Sequence, residues 1–234
     1  MKHLFLAVLF TFLTTNAMAA PFYNNFEPTW TVIDNDYYTI TDQTTNGPGD
    51  ATFVLEYDKT MPLYDASFGI YTVNTDGSVT KIEIFDKTQD SMFPRPSTAV
   101  YIRNNNGWEV AVNNGGNPSS MSYAPFSNTF GFYFDMYNAF TYDTVDYTWF
   151  TDQSMNVDGN GNSYDTGTDH IVVTYNEGMA DAYIFLSALP YSAYTFDDTV
   201  IHGVDINPVP EPASIYLLFF GLSALTFAKS KMKK

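Results

Sequence analysis

Cysteine is absent from the 234 residues of the chain. Its absence excludes disulfide bonds, thiol catalysis and cysteine-ligated zinc or iron–sulfur sites. Charged residues are also scarce, at 15% of the chain, whereas aromatic residues reach 18%. Disordered acidic segments are poor in aromatic residues, so this composition predicts a folded domain with an aromatic core.

The common catalytic motifs are missing as well: the sequence has no G-x-S-x-G, no H-E-x-x-H and no P-loop. These motifs mark many hydrolases, metalloproteases and nucleotide-binding enzymes. Beyond the first 19 residues there are two histidines, His170 and His202, each in a segment with the pattern of a strand. Such a histidine more often packs or donates a hydrogen bond than catalyses, so we expect no catalytic residues and no enzyme activity.

Basic residues are few in the body of the chain. Between Ala20 and Pro210 there are 25 acidic and five basic residues, a net charge of −20. Such a surface repels nucleic acid and anionic lipid and attracts cations. Twenty of the acids are aspartates, which favour turns and loops over helices.

The N-terminus has the three parts of a secretory signal peptide. Lys2 precedes an apolar run over 4–13, and Ala17-Met18-Ala19 places small residues where signal peptidase recognises them. We therefore expect a signal peptide over 1–19, recognised at Ala17 and Ala19 and cut after Ala19. The alternative is a short buried N-terminal helix.

The C-terminus also has three parts. Val209-Pro210-Glu211-Pro212 precedes an uncharged apolar run over 213–228, and the chain closes on a basic cluster of Lys229, Lys231, Lys233 and Lys234. Sixteen helical residues span about 24 Å, slightly less than the roughly 30 Å hydrocarbon core of a membrane. The lysines favour the cytoplasmic side, so we expect a short transmembrane helix with the body outside.

This ending resembles the PEP-CTERM sorting signal of exported proteins of Gram-negative bacteria, which combines these parts in the same order over 209–234. The resemblance implies that an exosortase, a membrane-embedded cysteine protease, recognises the Pro-Glu-Pro motif and releases or transfers the body to the cell surface. Exosortase genes accompany exopolysaccharide and biofilm-matrix loci. The alternative is a plain stop-transfer anchor, in which Pro210-Glu211-Pro212 is a stiff linker.

The body, residues 20–204, has the pattern of an all-β domain. Short alternating or aromatic runs recur between clusters of Asn, Asp and Gly, and no segment keeps a helical apolar period. Two hairpins are predicted, one around Asn74–Ser78 and one around Asn104–Gly107, where Asn106-Gly107 favours a two-residue type I′ turn. Lys81 and Glu83 are expected on the face opposite Ile82 and Ile84.

About ten strands are predicted in all. They lie at 52–57, 70–73, 79–85, 99–103, 108–112, 129–135, 145–151, 170–175, 182–189 and 199–204. The simplest closure is an antiparallel two-sheet sandwich, jelly-roll-like, followed by a linker over 205–208.

The body is also similar to an uncharacterised β-rich domain family found in PEP-CTERM precursors. The similar stretches are Phe130–Phe134, Tyr147–Asp152 leading to Asn156, Asp169-His170 and Phe196–Ile201. That family has no established activity, so the resemblance adds an all-β fold and no chemistry.

One loop has the ligand spacing of a calcium site. Oxygen-bearing residues recur over twelve positions, at Asp158, Asn160, Asn162, Tyr164, Thr166 and Asp169, with Tyr164 where a backbone carbonyl would serve. Alternating oxygens can surround a hard cation. Ser163 stands where such loops need glycine, Asp169 replaces the bidentate glutamate, and no helices are predicted to flank the loop, so the pattern does not favour an EF-hand proper. The alternatives are a Ca²⁺-binding loop and a plain polar connection between strands.

Two patterns leave carbohydrate chemistry open. Trp30, Trp108 and Trp149 could stack on sugar rings, although tryptophans in strands more often pack into the core. Asp197 and Asp198 resemble a glycosidase pair, yet neighbours on a strand point to opposite faces. The sequence therefore predicts an exported surface or matrix protein with a structural or adhesive role. The alternative is a carbohydrate-binding module, with or without a stabilising calcium ion, or a glycoside-active enzyme.

Overall fold

A computed structural model describes residues 31–33, 35–40, 49–58, 64–88, 96–104, 107–113, 122–138, 144–176, 179–187 and 199–209. Those residues form fifteen β-strands, all paired antiparallel, and one turn of 3-10 helix at Gln153–Met155; they contain no α-helix. The all-β class predicted from the sequence is therefore confirmed.

The strands, numbered in chain order, are β1 (Thr31–Ile33), β2 (Tyr38–Ile40), β3 (Gly49–Asp58), β4 (Tyr64–Val73), β5 (Val79–Phe85), β6 (Ser97–Asn104), β7 (Trp108–Asn113), β8 (Ala124–Pro125), β9 (Gly131–Asn138), β10 (Val145–Phe150), β11 (Val157–Asp158), β12 (Ile171–Asn176), β13 (Asp181–Leu186), β14 (Thr199–Val204) and β15 (Ile206–Pro208). All ten predicted strands overlap one of these. The five that the pattern did not predict are β1, β2, β8, β11 and β15, each only two or three residues long.

The strands form three sheets. An eight-stranded sheet has the order β1-β12-β13-β14-β3-β6-β7-β8, and a five-stranded sheet has the order β11-β10-β9-β4-β5. A two-stranded ribbon joins β15 to β2. The two large sheets pack face to face as a sandwich, because one core cluster contains buried side chains from both.

Phenylalanine rings connect the two sheets at the centre of this core. Phe53 on the eight-stranded sheet lies 5.8 Å from Phe68 and 6.1 Å from Phe132, measured between ring centroids, and both partners belong to the five-stranded sheet. Phe68 is also 5.0 Å from Phe134. Tilted and edge-on aromatic pairs add stabilisation beyond the area that they bury. The predicted aromatic core is confirmed.

Both predicted hairpins form, with one difference in the turns. Val73 pairs with Val79, which leaves the predicted five residues in the first turn. In the second, Asn104 pairs with Trp108, so three residues connect the strands where the type I′ prediction requires two. The type I′ turn is therefore wrong, although the hairpin is right. Lys81 and Glu83 are exposed, whereas Ile84 is buried and Ile82 packs against the core, as the alternation predicts.

The predicted linker over 205–208 is part of the folded body. Its residues 206–208 form β15, and Ile206 is completely buried in the core. Asn207 accepts a hydrogen bond from the Tyr175 hydroxyl, and the N–H of Val209 donates to the carbonyl of Tyr37. Backbone pairing therefore continues to Val209.

Two glycine–tyrosine pairs hold β4 and β9 together on the outer face of the five-stranded sheet. Gly69 lies opposite Tyr133, and Tyr71 lies opposite Gly131. Each tyrosine ring covers the glycine across from it, so that a Cβ atom at either glycine would overlap a ring. Both tyrosines are almost completely buried as a result, although they point away from the core.

We predict that Gly131→Ala lowers the free energy of unfolding by about 1–3 kcal/mol, because the new methyl group overlaps the Tyr71 ring. Urea denaturation measures the change. In a Tyr71→Ala background the same substitution should cost much less, since the obstacle is gone. Equal costs in the two backgrounds would show that the ring does not cause the effect.

Candidate functional site

The calcium-spaced loop begins in a tight turn after β11. Oδ1 of Asp158 accepts hydrogen bonds from the backbone N–H groups of Asn160 and Asn162, each at 2.9 Å. The side-chain amide of Asn162 donates to the same carboxylate. These hydrogen bonds hold the pKa of Asp158 below its ordinary value, and the bond from the backbone of Asn162 contributes most. Asp158 thus closes its own turn, as an N-terminal turn aspartate does.

The other predicted ligands point in different directions. Tyr164 packs inward, with its ring centroid 5.0 Å from that of Tyr147 and 6.2 Å from that of Trp149. Thr166 and Asp169 are exposed. In the part of the chain that the structure describes, no three His, Asp or Glu side chains come close enough together to hold a metal ion. The calcium loop remains a hypothesis.

His170 lies at the end of this loop and is completely buried. Its ring stacks on Trp149 with 3.7 Å between ring centroids. Nδ1 is 3.0 Å from the carbonyl oxygen of Ser187, and Nε2 is 3.0 Å from Oδ2 of Asp165. A carbonyl can only accept, so Nδ1 carries a proton and donates to Ser187. The predicted packing and hydrogen-bonding role of His170 is confirmed.

Asn156 ties the same loop to the five-stranded sheet. It is completely buried; its Oδ1 accepts from the N–H of Phe150, and its Nδ2 donates to the carbonyl of Thr168. The loop between β10 and β12 is therefore held by side chains at both ends, with Asn156 at one and the Asp165–His170 pair at the other.

The strongest polar cluster lies elsewhere, on the outer face of the five-stranded sheet. Lys81 Nζ donates to both carboxylate oxygens of Asp135, at 2.5 and 2.6 Å. The Thr148 hydroxyl donates to Oδ1 of the same carboxylate at 2.5 Å. Lys81 Nζ also lies 4.2 Å from the ring centroid of Tyr133. Asp135 is thereby contacted from β5 and from β10 while it is itself part of β9.

Glu83 is next to this cluster on β5. Burial, together with the carboxylates of Asp86 and Asp135, raises the pKa of Glu83 above its ordinary value, and Lys81 opposes the shift. Burial and the carboxylates of Asp135 and Glu83 also raise the pKa of Tyr133, which keeps its hydroxyl neutral. Alternation along β5 predicts that Lys81 and Glu83 point outward. That Asp135 on β9 is the partner of Lys81 could be found only from the order and register of the strands.

A second histidine cluster lies on the outer face of the eight-stranded sheet. His202 stacks on Tyr183, with 4.5 Å between ring centroids. Its Nε2 is 3.6 Å from Asp181 and its Nδ1 is 3.9 Å from Glu56. Because the two carboxylates approach opposite ring nitrogens, they do not converge on one point where a ligand could be held. His202 lies on a strand, as predicted.

The tryptophans and the remaining motif residues divide into described and undescribed ones. Trp149 is completely buried, which confirms core packing for this residue, and Trp108 is half-buried with part of its side chain packed against the core. Trp30, Asp197 and Asp198 lie outside the described residues. So do Ala17, Ala19, Pro210–Pro212 and the basic cluster of Lys229, Lys231, Lys233 and Lys234.

None of the described residues belongs to a helix with the length and hydropathy needed to cross a membrane; the predicted span over 213–228 lies outside them. Comparisons of the chain with known protein families, with curated proteins and with solved structures found no match. The resemblance of the C-terminus to a sorting signal therefore stays a prediction.

We predict that Asp165→Gly lowers the free energy of unfolding by about 1–3 kcal/mol, because it removes the carboxylate that lies 3.0 Å from Nε2 of buried His170. Glycine is chosen because Asp165 has a φ of +48°, which glycine adopts without strain. Thr166→Gly, at an exposed neighbour, controls for added backbone freedom. Equal losses in both variants would contradict a stabilising Asp165–His170 pair.

The calcium hypothesis predicts a higher melting temperature in millimolar Ca²⁺ than in chelator, since an ion that binds only the folded state stabilises it. The difference should disappear in Asp158→Ala. Asp76→Ala is the matched control, because Asp76 closes an exposed turn by the same kind of hydrogen bonds outside the loop. A melting temperature that does not respond to Ca²⁺ in the wild type excludes the site.

Proposed function

We propose that this chain is an exported protein of the cell surface or exopolysaccharide matrix, sorted and cleaved by an exosortase, with a structural or adhesive role. A signal peptide over 1–19 would direct export. The C-terminal signal, with its short membrane helix over 213–228, would hold the intermediate in the inner membrane until processing. The partners would be signal peptidase and, transiently, the exosortase.

The observation that carries this proposal is the position of the C-terminal motif. The Pro-Glu-Pro sequence, the apolar run and the basic cluster follow one another in the order of a sorting signal. They begin directly after Val209, the last residue that the structure describes, whose N–H donates to the carbonyl of Tyr37. A sorting signal next to the end of the described body is the arrangement that the proposal requires.

The fold and the charge of the body support a structural role. A sandwich with a dense aromatic core suits an extracellular domain, and the change of sheet between β3 and β4, β5 and β6, and β8 and β9 supports the jelly-roll-like class that we infer. The net charge of −20 between Ala20 and Pro210 attracts cations. Divalent cations would then bridge the body to acidic polysaccharide.

A carbohydrate-binding module or glycoside-active enzyme, with or without Ca²⁺, is the alternative. Among the described carboxylates, Glu83 has the raised pKa that a glycosidase's general acid requires, and Asp135 is a neighbouring carboxylate that acts on it. Asp135, however, is occupied by Lys81 and Thr148. These two carboxylates therefore support a glycoside-active enzyme less strongly than the sorting motif supports a matrix protein.

We predict that protein recovered from the surface or matrix fraction of the native host has an intact mass that ends near Pro210. Changing Pro210, Glu211 and Pro212 to alanine should abolish this species. Ser214→Ala is the matched control, because it alters the neighbouring segment without adding charge or shortening the apolar run.

A full-length chain that keeps Lys234 in the membrane fraction would contradict sorting and would indicate a simple stop-transfer anchor. Binding of matrix polysaccharide, followed by tryptophan fluorescence, distinguishes an adhesive body from a purely structural one.

A further inference from the structure

Lys81 and Asp135 are placed for more than an ion pair. They belong to β5 and β9, which are not neighbours, since β4 lies between them. On β4, Tyr71 lies opposite Lys81 and Gly69 lies opposite Glu83. The Lys81 side chain crosses β4 with Nζ 4.2 Å from the ring centroid of Tyr133, the ring that covers Gly69. The long lysine side chain is thus laid along the sheet and ends on the carboxylate.

The distances are those of reacting groups. Both oxygens of Asp135 lie within 2.6 Å of Nζ, so the carboxyl carbon between them is inside the separation of about 3–3.5 Å at which reacting atoms are held in near-attack geometry. Holding two groups in this way replaces a bimolecular encounter and supplies effective molarities on the order of 10⁵–10⁸ M. An amine and a carboxyl group held in this way have the separation that amide formation between them requires.

The surroundings shield and orient the carboxyl group more than the amine. The side chain of Asp135 is 12% exposed, whereas that of Lys81 is 31% exposed. Nζ lies 5.9 Å from the ring centroid of Phe150, and the Thr148 hydroxyl donates to Oδ1 of Asp135. A donor fixed on one carboxyl oxygen stabilises the negative charge that develops there when a nucleophile adds to the carbon.

Glu83 supplies a third group. It lies two residues from Lys81 on the same face of β5, and both Asp135 and Lys81 act on its charge. Its pKa is raised by burial and by the neighbouring carboxylates, so a protonated Glu83 is available at higher pH than for an ordinary glutamate. A carboxyl group that can both give and take a proton beside an amine and an acid is a proton shuttle.

We propose that Lys81 and Asp135 join in an intramolecular isopeptide bond, with Glu83 as the proton shuttle. Nζ first transfers a proton to the carboxylate of Asp135, so that a neutral amine faces a neutral carboxyl group, and then adds to Cγ. Protonated Glu83 donates its proton to the departing hydroxyl, which leaves as water, and the Glu83 carboxylate takes one proton back from the nitrogen. The C–O bond breaks, the C–N bond forms, and one water is released; no oxidant, metal or cofactor takes part.

Such a bond would tie β5 covalently to β9 across β4. The two residues are separated by 54 positions in sequence, so the cross-link closes a long loop in the unfolded chain and reduces its conformational freedom. In a chain without cysteine it performs the task of a disulfide and cannot be reduced. The inference does not depend on the proposed sorting.

Mass spectrometry of the purified full chain tests the bond. We expect an intact mass lower by one water than the mass calculated from the observed termini. Tandem spectra of a protease digest should contain one branched peptide that joins the segment with Lys81 to the segment with Asp135. An unmodified mass, with both residues in separate linear peptides, shows an ion pair only and overturns the proposal.

Three variants distinguish the bond from its surroundings. Lys81→Arg keeps the charge over Tyr133 but cannot form the amide, so the deficit of one water should disappear and the unfolding temperature should fall. Lys87→Arg is the matched control, because Lys87 also lies over a tyrosine ring, that of Tyr137, on the same sheet; it should keep the deficit.

Glu83→Gln keeps the pair and removes the acid. We expect this variant to fold and to accumulate the branched peptide more slowly or not at all. Branched peptide formed at the wild-type rate would overturn the role of Glu83. A deficit that persists in Lys81→Arg would show that the lost water comes from another position and would overturn the assignment to Lys81.

Discussion

The pairing of β4 with β9 is the constraint on which the rest of the structure depends. It runs over eight residue pairs, from Tyr64 opposite Asn138 to Tyr71 opposite Gly131. On the core side the register brings Phe68 opposite Phe134. On the outer side it places each tyrosine over a glycine and Asp135 within reach of Lys81. A slip of one residue would turn every one of these side chains to the wrong face.

The few basic residues are used in one way throughout the described part of the chain. Lys81, Lys87 and Arg103 each lie over a tyrosine ring, at 3.5 to 4.3 Å from its centroid. Arg103 also pairs with Glu109 across β6 and β7. A cation over an aromatic face is stabilised by the ring as well as by its acidic partner. The remaining surface is left strongly acidic, which favours solubility and attraction of cations over contact between copies.

Much of the fold was predictable from local pattern. Strands such as β14, with Thr199–Val204 between turn residues, follow from alternation and β-branched composition. Short strands such as β15 do not, because three residues carry no period and Ile206 is fixed by pairing with Ile40 far away in sequence. The same limit applies to the Lys81–Asp135 cluster. Alternation shows which face each residue occupies, but only the order β5-β4-β9 shows that they meet.

The loop with calcium-ligand spacing shows a pattern that is clear in the sequence but does not decide between two structures. Asp158, Asn160 and Asn162 have the right intervals for ligands, and the intervals also suit an aspartate that closes its own turn. Spacing alone cannot separate these outcomes, because the same oxygens accept from backbone N–H groups or bind a cation. Tyr164 differs from the other predicted ligands because its ring packs against the ring of Tyr147.

Under the proposed sorting, the strand β15 would set folding against processing. A protease that holds several extended residues on the N-terminal side of its scissile bond would need Ile206–Pro208 free of β2, yet these residues are paired and Ile206 is buried. Cleavage near Pro210–Pro212 would then be faster before β15 pairs with β2 than after it. Chains that pair β15 early would keep the C-terminal signal longest.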